Sequence, residues 1–267
     1  MNRIIYIGVD DTDTLDCGFG TGRIARGLAK FYVDLGLATS LGVSRHQLLV
    51  HPDIRYTSHN SSKGLAVVSD KPEEAFYQPG INYMKSIFVP GSDPGLCICP
   101  ENKINQEILD YAVSCQTGVI LKEDSIKLAA KYGIWLKELG GDGGGIIGAL
   151  SAVGLRAAGN DGRLVECRGA NDITGILTVA DLKHYTDVYA VHDVLGALLP
   201  DMAVIDSRNW IKPDLVGGRP VLHVRPAGFR GEEPIWETLQ AKKPKAEKND
   251  KKAGQHDPAD KEIDNDD

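Results

Sequence analysis

No Cys-x-x-Cys pair occurs anywhere in the chain. Its five cysteines, Cys17, Cys97, Cys99, Cys115 and Cys167, are an odd number, so neither a zinc ribbon nor a disulfide framework is indicated. Cys97 and Cys99 share one strand face, but two thiols are an incomplete metal set and read as buried side chains. This usage fits a reducing, cytoplasmic setting. Long apolar runs are missing too: none approaches the roughly 20 residues of a membrane span. The N-terminus enters a strand by about residue 3 or 4 without a charged-then-apolar leader. Positive charge is in short supply. Thirty Lys and Arg stand against 37 Asp and Glu, a formal net charge of −7, which argues against nucleic acid held on a broad basic surface through many phosphate contacts. A local basic groove stays compatible with that balance.

What the chain does have is concentrated near its start. Ile4-Ile5-Tyr6-Ile7-Gly8-Val9 is a buried-type strand, and it runs straight into Asp10-Asp11-Thr12-Asp13. Open α/β sheets place ligands at such strand ends. Gly18-Phe19-Gly20-Thr21-Gly22 then opens a helix in which Ile24, Ala25, Leu28, Phe31, Tyr32 and Leu35 share a face, closed by Gly36. Thr21 reads as its N-cap. Three neighbouring carboxylates are costly to desolvate without a cation, and the amides around Gly20 and Gly22 at a helix head favour phosphate. The pair of clusters therefore predicts metal-assisted phosphate chemistry, with Asp10, Asp11 and Asp13 as the metal-binding carboxylates. A solvated turn with a helix cap is the competing reading.

At 267 residues the chain has length for one large domain or two smaller ones with proper cores, and two are favoured. Ser40 to Val50 and Gly64 to Val68 read as pairing strands. The loop between them, from His51 to Ser62, carries hydroxyls, amide, imidazole and cation, with Tyr56, Ser58, His59 and Asn60 suited to a phosphate or sugar. An ordinary hydrogen-bonded surface loop would look the same. Arg45, inside the preceding strand, serves equally as a sheet-edge partner or an anion ligand. From Pro72 the pattern weakens to a short helix or turn, followed by Ile87-Phe88-Val89, two turns and a short strand through Cys97 and Cys99. Helical spacing returns at 104 to 115 and 123 to 132. A strand at Ile134 to Leu139 then delivers the chain to Gly140-Gly141-Asp142-Gly143-Gly144-Gly145, ahead of an apolar helix rich in Gly and Ala. This is a second strand, glycine-loop and helix unit, able to bring backbone amides to an anion or to serve as a hinge. It is no P-loop. Strands follow at 163 to 168, 202 to 206 and 221 to 224, with a short helix at 179 to 185. Residues 241 to 267 hold 7 Lys and 8 Asp or Glu with almost no apolar residue, and are expected to be a disordered tail.

Four of these segments, taken in order, carry a family likeness. Ile7-Gly8-Val9-Asp10-Asp11-Thr12-Asp13 with Thr21, then Pro52-Asp53-Ile54-Arg55-Tyr56, then Asp93-Pro94-Gly95, then Gly143 to Gly154, resemble the archaeal tRNA-isoleucine agmatidine synthetases. The resemblance covers roughly residues 4 to 170. It implies a kinase-like ATP-binding α/β domain at 1–90 and a ferredoxin-like α+β domain at 91–240, ahead of the tail. It implies ATP and Mg²⁺ as cofactors, Asp10, Asp11 and Asp13 on magnesium and ATP phosphates, and Thr21 as the residue that takes up phosphate. Gly20, Gly22, Arg45, Tyr56, Ser58, His59 and Asn60 are then the ATP-side residues. Asp93, Gly95, Gly143, Gly145 and Gly148 form an amine-acceptor or nucleotide pocket. The chain departs from the family in lacking counterparts of its OB-type barrel and zinc ribbon, in Gly144 where an arginine is common, and in His59-Asn60-Ser61-Ser62 where a more basic loop is usual. Those departures bear on tRNA and agmatine, and leave a cytidine-like or small-molecule acceptor attacked by an amine. A nucleotide-binding regulatory module without turnover, or the partner of a separate RNA-binding chain, is the alternative.

Overall fold

A computed structural model describes residues 2–14, 17–57, 59–208, 211–231 and 233–239. Ser58 and the 241–267 tail lie outside the described residues. The first half of the chain runs β1 (Arg3–Asp10), α1 (Thr21–Asp34), β2 (Thr39–Gln47), β3 (Ser61–Ser69), α2 (Glu74–Ile87), β4 (Gly95–Pro100), α3 (Gln106–Thr117), α4 (Lys122–Lys131) and β5 (Trp135–Glu138). It continues through α5 (Ile146–Ala158), β6 (Arg163–Glu166), β7 (Ile176–Thr178), α6 (Val179–Tyr185), β8 (Ala190–Asp193) and β9 (Val204–Asp206). Three strands close it: β10 (Asp214–Val216), β11 (Arg219–Arg230) and β12 (Glu233–Thr238). The architecture is mixed α/β.

One sheet joins all the strands in the order β5-β4-β1-β3-β2-β6-β10-β11-β12-β9-β7, with β8 beside β11. Strands β5 to β6 in that order are antiparallel neighbours. Side-chain alternation assigns their two faces. Ile5, Ile7 and Val9 of β1 join Leu65 and Val67 of β3 beneath α1 and α2, against Ile24, Leu28, Tyr32, Phe76 and Met84. The opposite face is covered by α3, α4 and α5 through Ile108, Ala112, Leu128, Ala149 and Val153, with Cys97, Cys99 and Cys115 among them. All three thiols are buried and free. A third core gathers Leu164, Val179, Leu182, Val191, Ile205 and Leu222. Because β4 lies beyond residue 90 and pairs with β1 along Ile5 to Asp10, the sheet runs continuously through that position.

Helix α5 lies unusually close to the sheet. A Cβ on Gly8 would overlap the Ala149 carbonyl, and one on Gly148 would overlap the Asp10 carboxylate. The small residues of the Gly148 to Gly154 stretch are thus accounted for by packing within the chain. At Gly8 the missing side chain lets the β1 backbone meet that of α5, and Gly148 leaves room for the Asp10 carboxylate, which sets the N-terminal end of α5 beside the end of β1.

Several elements differ from the sequence expectation. The N-cap of α1 is Gly20, and no side chain caps the helix; Thr21 is its first helical residue and spends its hydroxyl elsewhere. Helix α2 runs 14 residues with Pro79 inside it, where only a short helix or turn is expected. Phe76, Gly80 and Met84 bury one side of α2 against the core, and that packing outweighs the Gln-Pro-Gly break signal. Strand β2 stops at Gln47, and β7, β8, β10 and β12 are strands that the sequence pattern does not announce.

Candidate functional site

The acidic loop leaves β1 with a sharp change of direction. Asp11 adopts φ = 50°, a left-handed conformation that Asp tolerates better than most residues. The turn places three carboxylates around the strand end in different settings. Asp13 is buried at 8% exposure and accepts a hydrogen bond from Thr21 Oγ1 at 3.0 Å, so the first residue of α1 is tied to the loop. Asp10 points to the α5 side, against Gly148. Burial, then the charge of Asp11, push its carboxyl up to about 7, while the Lys63 ammonium pulls it back. Asp11 is raised to about 6 by burial and by the charge of Asp93, with Arg55 opposing.

The second wall is the segment between β2 and β3. Asn60 braces it: its side chain donates to Leu49 O at 2.6 Å, and its carbonyl accepts from Leu48 N at 2.8 Å. Arg55 reaches across the cleft to Asp93 Oδ2 at 2.8 Å, with Asp142 at 4.0 Å. At the base of this wall Arg45 and Lys63 are register partners on adjacent strands, and Arg45 also donates to Gln47 Oε1 at 3.1 Å. Lys63 is 1% exposed.

The glycine-rich loop forms the third wall. Asp93, itself 3% exposed, organises it: Oδ1 accepts from Asp142 N at 2.7 Å, and its carbonyl accepts from Gly145 N at 3.0 Å. The turn bends at Gly143, with φ = 80°, and α5 begins one residue after Gly145.

These walls enclose a cleft of about 220 Å³. It brings together Asp10, Asp11, Asp13, Thr21, Arg45, Tyr56, His59, Asn60, Asp93, Gly145 and Gly148, which lie far apart in sequence. Gly20, Gly22, Gly95 and Gly143 are not among the cleft-lining residues; Gly95 lies under the start of α5, where a Cβ would overlap Gly145. Asp53, Arg55, Ser61 and Asp142, which stand in segments the sequence marks but carry no role of their own there, line the cleft as well, and so does Lys63, which the sequence pattern does not single out. For Lys63 a signal is present: the face reading Ser61, Lys63, Leu65, Val67 puts a cation where the strand should bury an apolar group.

A divalent cation suits this donor set in a limited way. Asp10 and Asp11 lie among carboxylates that raise one another's proton affinity, and a cation between them would relieve that repulsion. Among the described residues, however, no three His, Cys, Asp or Glu side chains are grouped as a metal site. Two carboxylates, with water and phosphate oxygens completing the shell, is the arrangement magnesium commonly takes. No helix among the described residues is long and apolar enough to cross a membrane.

Among solved structures, the chain is similar to TiaS in complex with an isoleucine tRNA, AMPCPP and agmatine (21% identity, TM-score 0.48), covering 57% of this chain and 36% of that one. It is similar to TiaS in complex with the same tRNA and ATP (22%, TM-score 0.49), with the same coverage of 57% and 36%. Apo TiaS, a tRNA agmatidine synthetase, matches at 20% identity and a TM-score of 0.47, over 57% of this chain and 35% of that one. The match thus spans about a third of the length of those proteins. No family model and no curated protein matches the chain.

Proposed function

We propose that the cleft binds ATP with Mg²⁺, that Thr21 takes up the terminal phosphoryl group, and that this activation serves a cytidine-like or small-molecule acceptor open to attack by an amine. The observation that carries the reading is the 3.0 Å hydrogen bond from Thr21 Oγ1 to Asp13 Oδ1 at the head of α1, inside an acidic cleft. That distance is the one a general base needs to the proton it removes. In the transfer, Thr21 Oγ1 bonds to the terminal phosphorus, the bond to the bridging oxygen breaks, nucleoside diphosphate leaves, and the hydroxyl proton passes to Asp13. Mg²⁺ would be held by Asp10 and Asp11 and would neutralise phosphate charge, the main need in phosphoryl transfer.

Amides at the head of α1, around Gly20 and Gly22, lie on the phosphate side of this reading. Arg45, Tyr56, His59 and Asn60 contribute phosphate and sugar contacts from the β2–β3 side. Asp93, with Asp142 beside it and Gly143, Gly145 and Gly148 behind, offers negative charge to an incoming ammonium or guanidinium. Residues 1–90 then supply the nucleotide half and the segment from 91 onward the acceptor half, with tRNA as one carrier of a cytidine-like acceptor in a cytoplasmic setting. The four ordered motifs that resemble agmatidine synthetases support the choice of acceptor chemistry.

Calorimetric titration of ATP with and without Mg²⁺, alongside turnover assays, tests the reading. Mg²⁺-dependent binding with slow turnover is expected, with turnover falling by about 100-fold or more in Asp11→Asn. Tight binding without turnover under any acceptor would favour a non-catalytic nucleotide-binding module. Absence of binding would end the proposal.

A further inference from the structure

We infer that Lys63 is the polyphosphate ligand of the cleft, an inference that rests on the nucleotide reading above and assigns the charge contact it needs. The lysine sits on β3, which is hydrogen-bonded to β1 on one side and β2 on the other, so its backbone is fixed from both edges. Along the face covered by α1 the strand reads Ser61, Lys63, Leu65, Val67. The last two are core residues, so Lys63 stands where that face passes from the core into the cleft.

Its neighbours favour an anion at this position. Lys63 is the direct register partner of Arg45 on β2 and of Val9 on β1. Like charges directly opposite one another in an antiparallel pair repel, and an ammonium that is 1% exposed has given up most of its water. Lys63 Nζ donates to Ser61 O and Ser61 Oγ, both at 3.3 Å, which holds the ammonium toward the Ser61 end of β3, where Ser61 also lines the cleft. Thr21 and Asp13 line the same cleft. A polyphosphate laid between the Arg45–Lys63 pair and the head of α1 would meet both cations at once, with its terminal group beside the Thr21 hydroxyl. If Lys63 served only to balance the Asp10 carboxylate, its removal would change stability and leave polyphosphate affinity alone.

The test uses inorganic tripolyphosphate, which has neither base nor sugar, and Mg·ATP, titrated calorimetrically into wild type, Lys63→Met and Lys63→Arg, with thermal melts reporting the fold. Lys63→Met is expected to bind both ligands about tenfold or more weakly, and Lys63→Arg to recover most of that loss, the scale of one charge-assisted contact. A folded Lys63→Met that binds tripolyphosphate like wild type overturns the inference. Should that variant fail to fold, wild-type crystals soaked in tungstate decide the matter. A tungsten peak within hydrogen-bonding reach of Lys63 Nζ supports it, and peaks confined to other cations overturn it. Lys63-dependent tripolyphosphate binding by a protein that never transfers phosphate would sink the phosphotransfer reading and leave this inference standing. Transfer with Lys63-independent binding would do the reverse.

Discussion

Asp10 and Asp11 are both drawn toward neutrality by burial and by neighbouring carboxylates. A carboxyl whose folded pKa lies above its unfolded value takes up protons on folding. Its contribution to stability is therefore lost as pH rises between the two values, here from about 4 to about 7. Asp10→Asn, which cannot ionise, is expected to melt above wild type on the alkaline side of that window and to show a flatter dependence across it. A variant less stable than wild type there would mean that Asp10 is held ionised by partners. The acidic loop and Thr21 are legible in the sequence because their signal is local, three carboxylates in four residues ahead of a helix. Arg55 and Asp142 stand in segments the sequence marks, but their roles emerge only with their distant partner Asp93, and Lys63 gains its meaning from the β2 register alone.

Elements joined by close approach rather than by interlocking side chains are the fold's second feature. Helix α5 meets β1 at Gly8 and Asp10, so Gly8→Ala drives a methyl group into the Ala149 carbonyl. Denaturant melts should show a loss of about 1–3 kcal/mol, the usual cost of overpacking, together with weaker ATP binding as the end of β1 shifts. Unchanged stability would show that α5 can move away freely. Helix α3 is held differently. Asn105 accepts from Glu107 N at 3.1 Å and Ile108 N at 3.3 Å, and Asn105→Ala is expected to cost about 1 kcal/mol without touching the cleft. Strands with alternating apolar residues, such as β1 and β3, announce themselves, as do α1, α3, α4 and α5. Pro79 and Gly80 make α2 look shorter in the sequence than it is, although Gly80 sits against the Tyr32 hydroxyl and the helix needs it small. Strands of three or four residues, such as β7, β8 and β10, leave too little periodicity to detect, and β12 draws its order from pairing with β11.

At the scale of the whole molecule, one sheet gathers residues from both halves of the chain, and the cleft lies where its strand ends, the β2–β3 segment and the glycine loop converge. Strand β1 is flanked by β3 and by β4, and α5 covers it. A fragment ending at residue 90 would leave the β4-pairing edge of β1 open and its α5 face bare. Such a fragment is expected to show no cooperative melt; a cooperative one would mean that the first half folds alone. What a sequence pattern cannot convey is this convergence, since no local signal states that Thr21, Lys63 and Asp93 share one cavity. The central claim is that the cavity performs phosphoryl chemistry at Thr21. It is tested most directly by incubating purified protein with γ-labelled ATP and Mg²⁺, followed by intact-mass and peptide analysis of wild type, Asp11→Asn and Thr21→Ala. Label on the peptide containing Thr21 in wild type, and on neither variant, is the predicted result. Wild-type protein that acquires no label and retains no nucleotide would contradict the account.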